Sequence, residues 1–112
     1  MEKDEFFLKH ILDAIERIET YTRGIDRDEF VKKENEMMQA AVIREFEIIG
    51  EATGRLSEEI KEENSNLPWR DISDMRNKLI HEYFGVDQVV VWKTIETDLP
   101  VLKEVVNKII AP

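Results

Sequence analysis

Cysteine is absent from the 112-residue chain, so disulfide frameworks, thiolate zinc sites and cysteine nucleophiles are excluded. Long apolar runs are absent too: no segment approaches the roughly 18 uninterrupted apolar residues that a membrane-spanning helix needs. The opening residues, Met1-Glu2-Lys3-Asp4-Glu5, lack the basic region and apolar run of a secretory leader, and a cytoplasmic protein without membrane association is expected. Strand signals, internal repeats, low-complexity tracts and linkers are missing as well. Positive charge is in short supply, with 16 lysines and arginines against 25 acidic residues and a formal charge of -9. That balance argues against loose, sequence-independent adhesion to nucleic acid, which is driven by cations displacing counterions from phosphates. The deficit is uneven, however. Between Arg70 and Lys93 four basic residues (Arg70, Arg76, Lys78, Lys93) match four acidic ones (Asp71, Asp74, Glu82, Asp87), which leaves room for a local anion site.

What is present points to helices. A 37% charged fraction beside 42% apolar residues is the composition of amphipathic helices with solvated outer faces. The length suits one domain, residues 1–112, with a single core. From Asp4 to about Thr22 the residues Phe7, Leu8, Ile11, Leu12, Ile15 and Ile18 recur at three- and four-residue steps, the spacing of one helix face, with Gly24 as the stop. His10 lies beside that stripe with no acidic or metal-ligand partner near it in sequence, and reads as a surface or boundary histidine. Asp26 or Asp28 can cap the next helical segment, and the polar run from Lys32 to Glu36 marks a bend or break.

The longest helix is expected from Met37 through Met38, Ala41, Val42, Phe46, Ile49, Ala52 and Leu56, with Leu56 and Ile60 carrying the pattern to the polar loop Glu62-Glu63-Asn64-Ser65-Asn66. Glu45 falls inside its apolar arc, where an unpaired carboxylate is costly, so it needs a partner. Arg44, Glu47 and Glu51 align on the other side, either as a solvated ion-pair face or as a dimer or partner surface. Gly50 and Gly54 allow another backbone to approach closely. Pro68 suits the first turn of a further helix, Trp69 reads as a core anchor, and Ile72, Met75, Leu79 and Tyr83 share a face up to Gly85. Asp87 can cap a last helix through Val90, Val91, Ile95, Leu99, Leu102, Val105, Val106 and Ile109. Pro100 within it predicts a kink, or a break with Asp98 as a new cap. The expected fold is all-α, an antiparallel bundle of four to five helices.

Within this scaffold the segment Arg76-Asn77-Lys78-Leu79-Ile80-His81-Glu82-Tyr83 concentrates the chemistry. On a helix Arg76 and His81 lie about 140° apart, while Asn77 and His81 are neighbours and Arg76 and Tyr83 fall on one line. One copy thus offers two half-sites more naturally than one pocket, and a two-fold dimer apposing two copies would bring both arginines and both histidines to a shared cleft. No serine or cysteine nucleophile, acidic pair, H-E-x-x-H or glycine-rich phosphate loop accompanies the histidine, and no metal ligands or cofactor are expected. A histidine that moves protons near neutral pH and an arginine fork that holds phosphate suffice to cleave RNA without a metal, with the substrate's own 2′-hydroxyl as nucleophile. Alternatively Arg76 pairs with a carboxylate such as Glu45 and His81 is an exposed residue near a helix end.

The spacing R-N-x-x-x-H-x-Y, followed by Phe84-Gly85-Val86-Asp87 and Trp92, preceded by Leu67-Pro68-Trp69-Arg70-Asp71-Ile72 and by Ile48-Ile49-Gly50-Glu51-Ala52, resembles the HepT-like branch of the HEPN superfamily over nearly the whole chain. The resemblance implies a helical bundle that forms homodimers, with the two R-x-x-x-x-H motifs facing one cleft. It implies a metal-independent endoribonuclease, the toxin of a toxin–antitoxin pair, whose antitoxin is an MntA-type nucleotidyltransferase. On that resemblance Arg76 and His81 are the catalytic pair, Asn77 is a supporting polar residue and Tyr83 is the target of AMP transfer. HEPN domains also serve as non-catalytic helical partners of nucleotidyltransferases, which is the alternative function.

Overall fold

The computed structural model describes residues 2–75, 77 and 87–111, and every regular element among them is helical. Helix α1, Glu2–Tyr21, buries Leu8, Ile11, Ile15 and Ile18, the stripe that its three- and four-residue spacing predicts. It ends where Gly24 takes a φ of 76°, a left-handed conformation that glycine reaches without the Cβ clash. Asp26 rather than Asp28 caps α2, Arg27–Phe30, by accepting the amide N–H of Glu29 at 2.9 Å. The polar run then forms a 3₁₀ turn, Lys33–Asn35. Buried Gln39 ties this break off, donating from Nε2 to the carbonyls of Phe30 (2.7 Å) and Lys32 (3.0 Å), oxygens that a short helix leaves without partners.

Helix α3, Glu36–Gly54, runs antiparallel to α1: Arg17 meets Glu45 near one end and Asp4 meets Ser57 beyond the other. Its buried residues include Val42, Phe46, Ile49 and Ala52, whereas Met37, counted in the stripe from sequence, is 87% exposed in the first turn. The partner that Glu45 requires is Arg17, whose Nε donates to Oε1 at 2.7 Å. The expected run of helix through Ile60 is broken. After Gly54 the chain turns, Leu56 is buried under the turn, and Ser57 opens α4, Glu58–Glu63, by accepting the amide of Ile60 at 3.3 Å. Leu56 and Ile60 are four apart, so the break was invisible to periodicity.

Ser57 is itself held by Asp4 of α1, which takes its amide at 2.8 Å and its hydroxyl at 2.7 Å. Burial pushes the Asp4 carboxyl up in pKa, but these two hydrogen bonds, with the charge of Lys3, outweigh it and hold the group below the usual aspartate value. A carboxyl whose pKa is lower folded than unfolded adds stability above its unfolded value, near pH 4, and that contribution is lost as pH falls through the folded value. Asp4→Ala is expected to cost about 1–3 kcal/mol at neutral pH and to flatten the loss of stability below pH 4. Urea titrations of parent and variant from pH 7 to pH 3 check both.

Helix α5, Trp69–Ser73, follows Pro68, and Trp69 is buried with its indole N–H donating to the Asn64 carbonyl at 2.9 Å. It packs on α3 at the two glycines. A Cβ added at Gly50 would stand 3.1 Å from the Ser73 carbonyl oxygen, and one at Gly54 3.7 Å from the Ser73 Cβ, which is the close backbone approach the spacing allowed. Asp87 caps α6, Gln88–Lys93, accepting from the amides of Val89 and Val90 at 3.0 and 3.4 Å. The chain then widens into a π-helical turn, Thr94–Asp98, and continues as α7, Leu99–Ile110. Pro100 neither breaks the helix nor makes Asp98 a cap: Asp98 has helical dihedrals and no capping bond. The wider turn, in which the Leu99 amide reaches back to the Thr94 carbonyl, accommodates the donor and the space that proline removes. Phe30 of α2 packs on Trp92 at 5.3 Å between ring centroids, and α1 lies between α3 and α7, packing on both.

Candidate functional site

The motif segment begins where α5 ends. Asp74 terminates α5, its amide bonded to the Arg70 carbonyl at 3.0 Å, and Met75 drops into the core. Asn77 is exposed and donates from Nδ2 to Asp74 Oδ1, so its amide is oriented by the carboxylate three positions before it. Arg76, His81 and Tyr83 lie outside the described residues.

Asn77 shares a recess of about 370 Å³ with Ser73 and with Arg44, Glu47 and Glu51 of α3. The polar stripe of α3 therefore borders the motif segment directly. Arg44 lies 3.7 Å from Glu47, and Glu51 is 3.5 Å from Arg55. Sequence reasoning held both pieces without joining them. The signal that joins them is the glycine pair, because Gly50 and Gly54 let α5 lie against α3 beside Glu47 and Glu51. His10 is exposed and edge-on to Phe6 at 4.5 Å, and does not line the recess of Asn77.

Among the described residues no group of three His, Asp or Glu side chains converges on a metal-sized site, and no helix is long and apolar enough to cross a membrane. What the described residues offer is a polar recess of arginine, carboxylates, hydroxyl and amide beside the arginine–histidine segment.

An all-helical domain that carries R-N-x-x-x-H-x-Y straight after a helix seated on glycines is the class of molecule defined so far. The family model described as ribonuclease HepT-like matches residues 11–109, and the chain belongs to that family, within the HEPN superfamily. The protein of Thermococcus cleftensis named "Probable ribonuclease HepT" is 46% identical over 87% of this chain and 86% of its own length. "Putative RNase TTE0752" of Caldanaerobacter subterraneus subsp. tengcongensis is 41% identical over 93% of this chain and 91% of its own. "Gamma-glutamylcyclotransferase and putative RNase MJ0434" of Methanocaldococcus jannaschii is 44% identical over 97% of this chain, but the chain spans only 49% of that protein. No solved structure matches the chain.

Proposed function

We propose that the chain is the toxin of a toxin–antitoxin pair, a homodimeric endoribonuclease that cuts RNA without a metal. The carrying observation is a HepT-like match that runs through the complete Arg76, Asn77, His81, Tyr83 set. In the reaction the 2′-hydroxyl of the substrate attacks the adjacent phosphorus and the bond to the 5′-oxygen breaks. His81 takes the proton from the 2′-oxygen and returns a proton to the departing 5′-oxygen, a task that two histidines in one dimer cleft divide between base and acid. Arg76 neutralises the charge that develops on the phosphoryl oxygens. The products carry a 2′,3′-cyclic phosphate and a 5′-hydroxyl.

Purified protein incubated with single-stranded RNA in excess chelator is expected to yield those ends. Intact RNA under these conditions overturns the proposal and favours the alternative, a non-catalytic helical module for a nucleotidyltransferase, a reading that the acidic surface supports.

An MntA-type nucleotidyltransferase is the proposed antitoxin, acting by transfer of AMP from ATP to the Tyr83 hydroxyl with release of pyrophosphate. The adduct places a bulky anion at the edge of the cleft and repels RNA. Mass spectrometry after incubation with partner and ATP should show mass steps of one AMP, and cleavage should fall with their occupancy. A Tyr83→Phe variant that is modified as fast as the parent places the target elsewhere.

A further inference from the structure

The α1–α3 surface carries an aromatic cluster in which Phe7 packs against the core and Phe6 does not. Phe6 is 57% exposed on α1. His10 lies edge-on to its ring at 4.5 Å between centroids, and Phe7 at 5.2 Å. The Arg55 guanidinium stands 6.0 Å from the Phe7 ring. These side chains line a recess of about 220 Å³ whose wall also includes Arg44 and Glu51. Arg44 and Glu51 line the recess of Asn77 as well, so the two recesses adjoin on a path from Asn77 across Arg44 to the aromatic cluster. The arginine side chains on that path are 68% and 59% exposed, in a chain whose formal charge is -9.

Resting on the ribonuclease reading, we propose that this path is a binding groove for single-stranded RNA. A base stacks on the Phe6–His10 pair while Arg44 and Arg55 take neighbouring phosphates, and the strand continues to Asn77. An exposed ring offers a face to any unpaired base, since every base has a π-surface. A duplex cannot use it, because its bases already stack on one another. The arginines supply phosphate contacts where most of the surface repels RNA. Glu47 stands 3.7 Å from Arg44 and Glu51 3.5 Å from Arg55, so RNA phosphates displace exposed ion pairs that cost little to break. An acidic protein can thereby hold RNA through few, placed contacts instead of a broad basic face.

Fluorescence anisotropy with a single-stranded RNA bearing 2′-O-methyl groups, which cannot be cut by 2′-hydroxyl attack, tests the groove separately from catalysis. Phe6→Ala is expected to weaken binding by about 5- to 100-fold, and Phe6→Trp to retain it. Arg44→Ala should weaken binding and reduce the slope of log affinity against log salt by about 0.7. With cleavable RNA the losses fall on KM. Parent-like binding by both Phe6→Ala and Arg44→Ala overturns the groove, as does equal competition by duplex RNA. A Phe6→Ala variant that binds like the parent but sediments at a different mass assigns the face to a second copy of the chain, and also overturns it. If the methylated strand binds in a Phe6-dependent way while ordinary RNA stays uncut, the groove stands and the ribonuclease reading fails.

Discussion

A His81→Ala variant is expected to cleave RNA about 10²- to 10⁴-fold more slowly than the parent, the range over which a positioned proton-transfer group contributes, with its circular dichroism and unfolding midpoint unchanged. Arg76→Ala is expected to lose a comparable factor for a different reason, since it removes the charge that meets the phosphoryl oxygens in the transition state. The proposed homodimer gives a sharper measurement. When the two inactive variants are mixed and allowed to exchange subunits, a cleft built from both chains should recover part of the parent rate. A mixture as inactive as its components would place each active site within one chain, and equal cleavage by His81→Ala and the parent would sink the assignment.

A loss of stability as large as that expected at Asp4 follows removal of Arg17. Glu45 sits in the core-facing arc of α3, and its Oε1 accepts from Arg17 Nε at 2.7 Å, with side-chain exposures of 9% for the glutamate and 43% for the arginine. Arg17→Met keeps most of the aliphatic stem but leaves a buried carboxylate without its cation. Fully buried pairs lose about 3–5 kcal/mol when one partner goes. Arg17 is half in solvent, and water relieves part of the cost, so about 1–3 kcal/mol is expected. The double variant Arg17→Met, Glu45→Leu should regain most of it, because an apolar pair of similar volume carries no desolvation penalty. Urea midpoints at constant slope measure both. A single variant as stable as the parent would mean that solvent, not Arg17, satisfies the carboxylate.

This pair also shows how far the sequence carries. The apolar arc of α3 made the need for a partner readable at Glu45, but the partner lies 28 residues away. Its identity depends on the register in which α1 and α3 pack, which no local pattern encodes. Local signals performed well where the physics is local: Asp26 and Asp87 cap their helices, and Gly24 takes the left-handed turn. They failed where a continuous apolar spacing masked a break, as at Leu56 and Ile60, and at Pro100 they did not tell that the turn before the proline widens into a π-helix. At the candidate site Asn77 and the α3 stripe were each legible. Their meeting in one recess was not, because it depends on α5 resting on Gly50.

The position of α1 bears on how the molecule is made. Its stripe is covered on one side by α3 and on another by α7, which ends at Ile110. On the ribosome α1 emerges ahead of both, and at ordinary elongation rates several seconds pass before α7 follows. Through that interval the stripe of Leu8, Ile11, Ile15 and Ile18 has at most the cover that α3 gives it, and the side that faces α7 stays open until α7 arrives.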